Sequence, residues 1–532
     1  MSSNEDQETN GTAFMNAEWS HKVIAIISAM LVVIITIGSV YLFFDQRSFA
    51  REPMTPFTQA NKVILPNYYK ENMVFQQGKT ITIQGKTSPN GTLTATLQSK
   101  TEQSSQTSSA DDKGRFEIAL PAPPAQLKAY TFTISSGNKV LRQIKHAYVG
   151  NVFLAAGQSN MEVNYYDYYN TESEERANLG NAADVTDLPA PINDTHVYFL
   201  VTDHQSSEQT QDNLPLREYN SDSWLPANTV NADYLGYLPQ YFAEQLRSNS
   251  PKIPIGIIQT AWGGTEIARH MAGGDIYNNH VAPLKMFNIA GILWYQGEQD
   301  GMSDDMALAY QYNFSTLIQQ YRKLFDNSQL PFLYVQLARF PGNDDWAKVR
   351  QAQFVVATNV DGKDGTAMTV SLDTDKGTNG IIHPLGKEIL AQRMASQWKA
   401  INNNRTVPSG PLAQKAVSRH RGQVAEITFR EDTANGLNVR RPNYSKNATS
   451  KNLSRATDES LTGFEVAGSD SVYHSAEAVI QDDTISVFSD AVDDIRQVRY
   501  LWSANPECDT LLYNSYHLPA SPFTLSVLND ES

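Results

Sequence analysis

At 532 residues the chain exceeds what one hydrophobic core organises, so more than one domain is expected. Hydrophobic residues at 41%, with 25 Tyr, 21 Phe and 7 Trp, exclude a disordered chain. A formal net charge of -15 without a long Lys/Arg run argues against a nucleic-acid partner, and the single Cys508 excludes both an intrachain disulfide and a zinc site built on paired cysteines.

After an N-terminal tail (1–22), residues 23–44 read VIAIISAMLVVIITIGSVYLFF without a charge. As a helix rising about 1.5 Å per residue they span roughly the 30 Å hydrocarbon core, which predicts one transmembrane helix. A cleaved signal peptide is the rival reading, but such a peptide opens on a basic region, whereas Glu5, Asp6, Glu8 and Glu18 precede Lys22 here. Lys22 on one side against Arg47 and Arg51 on the other leaves orientation undecided by charge. Residues 45–61, carrying Pro53 and Pro56, read as a linker.

Apolar and polar residues then alternate in 80–83, 92–97, 116–120 and 130–134 between Gly, Pro, Asn and Asp turns, predicting a β-sandwich over 62–149. The run EQSSQTSS near residue 105 reads as a hairpin loop. From 150 to 404, short apolar runs at 152–156, 253–260, 289–295, 332–337 and 368–372 alternate with helical stretches, the pattern of a parallel sheet with crossover helices. Tyr310, Phe314, Leu317, Ile318, Tyr321, Leu324 and Phe325 recur at steps of three and four, giving one helix an apolar face. Strand-like runs such as 424–429 and 484–488 place a C-terminal β region at 405–532.

Polar clusters fall where a parallel sheet binds ligands, beyond the carboxyl ends of its strands. GQSNM (157–161) follows the first run, WGGT (262–265) the second, QGE (296–298) the third, and His383-Pro384 lies past the last. A serine at a strand end beside a turning glycine presents its hydroxyl as a nucleophile, and an imidazole takes and returns its proton. Each residue also has a bland reading: Ser159 as a helix cap, His383 as a structural histidine, Glu298 as a cap or as a brace for the Ser159 loop. Trp262 and Trp294 are sugar platforms or core.

Together these segments resemble the sialate O-acetylesterase family, a branch related to the SGNH-type hydrolases. The resemblance rests on GQSNM, WGGT, YNNHVAPL (277–284) running into GILWYQGE (291–298), and IHP (382–384). ENMVFQQ at 71–77, GFEVA at 463, VRYLW at 498 and LPASPF at 518 extend it over nearly all of 62–525. It implies a three-layer α/β central domain and an acetyl-enzyme on Ser159, with His383 as base. The oxyanion would be held by backbone N–H groups of Ser159 and Gly264 and by the side chain of Gln296, and no metal or organic cofactor is implied. Family members often carry an Asp two or three residues before the histidine, where this chain has Gly380 and Ile381. Asp373 and Asp375 are the substitute candidates for orienting His383, a backbone carbonyl the alternative. A second departure is Arg269-His270, where the family tends to place tryptophan. The implied activity is removal of 9-O-acetyl groups from sialic acid. Acetylated xylan or another polysaccharide is the rival substrate, and an inactive membrane-tethered sugar-binding protein the reading from another class. O-acetylated glycans are met outside the cytoplasm, so a single-pass protein with an extracytoplasmic catalytic region is expected.

Overall fold

The computed structural model describes residues 58–165, 190–202, 223–358 and 364–529. The expected membrane helix at 23–44 lies outside the described residues; among these, no helix is long and apolar enough to cross a membrane.

The sheet that positions the polar clusters runs, in spatial order, 225–227, 194–201, 255–259, 139–157, 291–295, 332–335 and 366–369. All neighbours are parallel except Leu225–Ala227, which pairs antiparallel with Asp194–Val201. Its inner strands, Ile255–Gln259, Gly291–Tyr295 and Phe332–Val335, are buried at every position, which explains their unbroken apolar runs. Successive side chains leave opposite faces of a strand. Phe153 therefore meets Phe242 and Trp398, from helices Tyr237–Asn249 and Lys387–Asn402, on one face. Trp294 stacks on Phe314 of helix Asp304–Leu324 on the other. That last helix buries Tyr310, Phe314, Leu317, Ile318 and Tyr321, the stripe its spacing predicts.

The alternating runs of the N-terminal region form strands Thr80–Thr87, Thr92–Gln98, Arg115–Pro121 and Gln126–Ser136, and two expectations there are corrected. Residues 103–109 are not a loop but a strand, Gln103–Ser109, paired with Thr92–Gln98. Mostly solvent-exposed, it has no apolar alternation to betray it. Hydroxyl pairs hold it instead: Thr92–Ser109 at 3.1 Å, Thr94–Thr107 at 2.8 Å and Thr96–Ser105 at 3.0 Å. The expected boundary at 149/150 falls inside one strand, Lys139–Gly157, which pairs antiparallel with Gln126–Ser136 and then continues into the parallel sheet. The C-terminal region closes into a barrel of strands 413–419, 424–429, 484–488, 473–481, 464–467, 497–500 and 523–528. A small sheet of 438–442, 454–456 and 511–513 accompanies it. The described residues from 59 onward form one compact unit.

Candidate active site

Ser159 opens a short helix, Ser159–Glu162, two residues past the end of the central strand. The turn that aims it is built on Gly157, whose φ of +125 is left to glycine and where a Cβ would lie 2.2 Å from Tyr295 O. Backbone bonds tie three strand ends together here: Gln158 N donates to Tyr295 O at 2.9 Å and Trp262 N to Gly157 O at 2.9 Å. The side chain of Gln158 accepts from Gly297 N at 3.3 Å and Gln299 N at 3.2 Å, locking the QGE turn to the serine turn.

Gly263 packs on the serine, since a Cβ there would lie 3.4 Å from Ser159 Cβ. Its N–H donates to Glu162 Oε2 at 2.8 Å, which fixes the Gly-Gly turn. Gly264 follows at φ +68, with open space where a side chain would stand. Gln296 is not free for the oxyanion role expected of it. Its Nε2 gives one hydrogen to Thr265 O at 3.0 Å and the other to Asp300 Oδ2 at 2.5 Å, while Tyr310 Oη donates to its Oε1 at 2.9 Å. Acceptors at one end and a donor at the other leave the buried amide no spare hydrogen for an oxyanion. Its fixed amide instead holds Thr265 and Asp300 beneath the Gly-Gly turn. Burial pushes Asp300 up to about 6, opposed by that bond from Gln296.

His383 is joined to Ser159 through their neighbours: Asn160 Nδ2 donates to Ile382 O at 2.8 Å. The same amide nitrogen donates to Glu298 Oε1 at 2.6 Å, and Asn160 Oδ1 accepts from Lys387 Nζ at 2.6 Å. Lys387 Nζ donates also to Pro384 O at 2.9 Å and lies 5.4 Å from the Tyr295 ring centre. Glu298, Asn160 and Lys387 are all buried, so a carboxyl, an amide and an amine form one closed network beneath Ser159 and His383. Burial raises Glu298 to about 7, partly offset by Asn160 and Lys387. Among the described residues its Oε2 has no hydrogen-bond partner. Burial equally depresses Lys387, to about 7, against the pull of Glu298 and Glu388. His383 is lowered to about 4, first by burial and then by the Lys387 charge, which favours the neutral imidazole near pH 7.

Neither expected aspartate orients His383. Asp373 is spent on Arg393, through Nη1 at 2.8 Å and Nη2 at 2.7 Å, and on Tyr513 Oη at 3.0 Å. Asp375 is spent on Arg339 Nε at 2.9 Å and Gly377 N at 2.9 Å. Both are buried structural ion pairs. Glu298 braces the serine turn through Asn160, close to the bracing role considered for it. Asn160 and Lys387 were not singled out by sequence reasoning: Asn160 stood inside the GQSNM block, and nothing in the sequence distinguishes Lys387 from a surface lysine.

Of the two candidate sugar platforms, Trp294 is fully buried core. Trp262 is half-buried, and the Arg269 guanidinium lies 4.7 Å from its ring centre, held there by Asp275 at 3.0 and 2.8 Å. The ring face that a sugar would stack on is thus covered by an ion-paired guanidinium. Among the described residues no group of three or more His, Cys, Asp or Glu is arranged to hold a metal ion.

Comparison with known proteins converges on these segments. The profile "carbohydrate esterase, sialic acid-specific acetylesterase" matches residues 149–396. The sialate O-acetylesterases of Homo sapiens and Pongo abelii are each 24% identical over 406 residues, covering 66% of this chain and 73% of theirs. A crystal structure of a carbohydrate acetylesterase from Xanthomonas citri is similar at TM-score 0.68 and 27% identity, covering 87% of this chain and 99% of that one.

Proposed function

Since residues 149–396 belong to the sialic acid-specific acetylesterase family of carbohydrate esterases, we propose that the chain removes O-acetyl groups from sialic acid through an acetyl-enzyme on Ser159. The observation that carries this reading is the Asn160 bond to Ile382, which holds the residue after the nucleophile against the residue before the base. Neutral His383 takes the Ser159 proton as Oγ attacks the acetyl carbon, and backbone N–H groups of Ser159 and Gly264 receive the developing oxyanion. His383 returns the proton to the departing sugar oxygen. A water, deprotonated by the same imidazole, then attacks the acetyl carbon, releasing acetate and restoring Ser159.

Arg269 on the face of Trp262 is already paired with Asp275, so the choice of sialic acid over acetylated xylan rests on the family match. The protein would act outside the cytoplasm, tethered by residues 23–44. Acetate release from 9-O-acetyl sialic acid and from acetylated xylan, measured side by side, tests the assignment. Release from the sialic acid should dominate, and Ser159→Ala should cut it by about ten-thousandfold or more, the scale of losing a triad nucleophile. Equal rates in Ser159→Ala and the unaltered chain would refute the mechanism; release from xylan alone would refute the substrate. No release from either substrate would favour a sugar-binding protein.

A further inference from the structure

At the far edge of the central sheet lies a cavity of about 400 Å³ that shares no residue with the Ser159 cluster. Its walls are the last strand, Thr366–Thr369, helix Lys387–Asn402, the loop at 408–410, the small C-terminal sheet and the turn at 516–519. That strand stands three places from the nucleophile strand, roughly 14 Å away at the usual spacing between strands.

Arg393, Arg440, Lys451 and His517 line the cavity, and no Asp or Glu does. Arg393 is neutralised by Asp373. Arg440 is not: its Nε and Nη2 donate to Ser454 Oγ at 2.8 Å and Ser454 O at 3.1 Å, both uncharged, and among the described residues it has no carboxylate partner. Lys451 is exposed and likewise has no ion pair among them. In a chain of net charge -15, two uncompensated cations over one concavity make it locally basic. Beside them, Ser450 and Ser454 offer hydroxyls, and Tyr516, 49% exposed, offers an aromatic face. Tyr516 sits on a rigid turn. Buried Asn514 anchors it by donating to Ser409 O at 2.7 Å and Thr433 O at 3.0 Å, and accepts from Tyr516 N at 3.2 Å.

Cations that pair with a carboxylate, hydroxyls that bond to hydroxyls, and a ring on which a pyranose can stack select one class of ligand. We propose that this cavity is an ancillary binding site for a carboxylate-bearing sugar residue, distinct from the catalytic site. The choice of a sugar rests on the proposed esterase function; the preference for an anion does not.

Calorimetric titration of the full chain with N-acetylneuraminic acid, glucuronic acid and glucose tests this, with p-nitrophenyl acetate turnover read in the same preparations. One or both acids should bind and glucose should not; which acid binds distinguishes a sialic acid from a uronic acid. Lys451→Glu, a change on the surface, should weaken binding about tenfold, the equivalent of one lost charge contact, and leave ester turnover unchanged. Tyr516→Ala should weaken it too. Absence of binding by both acids, equal binding of glucose, or a loss that follows Arg269→Gln instead of Lys451→Glu would overturn the proposal. Since turnover is scored separately, an inactive enzyme with a working cavity and an active enzyme with an empty one are told apart.

Discussion

Replacing Lys387 with Met removes a buried ammonium of similar length and leaves Asn160 Oδ1 and Pro384 O without the donor that reaches them at 2.6 and 2.9 Å. Breaking a buried charge network from one side costs about 3–5 kcal/mol, which a domain stable by about 5–15 kcal/mol survives. The diagnostic effect lies in the pH profile. His383 must be neutral to accept the Ser159 proton, and its pKa is held down to about 4 by burial and by the Lys387 charge. In the unaltered chain kcat/KM should therefore fall on the acid side only near pH 4. Without Lys387 the imidazole keeps its burial but loses the repulsion, so the acid limb should move upward, toward the ordinary histidine value of 6.5. Stability follows the same sign. Between about 4 and 6.5 the unfolded chain binds more protons at this histidine than the folded one, so its contribution grows as pH rises across that window and is lost as pH falls through about 4. In the variant the window narrows. The assay is kcat/KM for p-nitrophenyl acetate against pH, beside urea denaturation at matched pH. An acid limb that stays near 4 or moves lower would refute the coupling of Lys387 to His383.

Three further substitutions probe the site by different routes. Gly157→Ala places a methyl 2.2 Å from Tyr295 O at a φ of +125, and should lower stability by about 2–5 kcal/mol in thermal denaturation; an unchanged melting temperature would contradict the turn geometry. Gln296→Leu should destabilise by about 1–3 kcal/mol for each buried polar group it strands, with Thr265 O and Asp300 the first affected. A hundredfold fall in kcat at unchanged stability would instead make its amide an oxyanion donor. Asp373→Asn should weaken the Arg393 pair and lower stability by about 3–5 kcal/mol while leaving the pH profile of kcat/KM in place; a shifted acid limb would restore Asp373 as the partner of His383.

How far the sequence reveals this site depends on the range of the interaction. The positions of Ser159, Gly264, Gln296 and His383 beyond strand ends follow from local runs of apolar residues, and the structure puts each cluster beyond a carboxyl end of the same sheet. What a side chain does there depends on partners far away in the chain. Gln296 and a genuine oxyanion donor look alike until Thr265 and Asp300 claim its hydrogens, and Asp373 looks like a triad member until Arg393 and Tyr513 surround it. Strand Gln103–Ser109 escaped because its partner bonds run through hydroxyls and not through a buried face. Lys387 was silent for the opposite reason: its burial is set by folding Asn160, 227 residues away in sequence, against it.

The strand Lys139–Gly157 belongs to two sheets at once, and that has a mechanical meaning. A flexible joint between two modules lets each melt, evolve or be excised by itself; a shared girder does not. Force or heat applied to the N-terminal β layer is delivered along the backbone straight to the residue before Gln158 and Ser159. The layer that touches no substrate should therefore denature in the same transition as the catalytic centre, and cutting the chain near 149 would sever the beam on which the nucleophile is mounted.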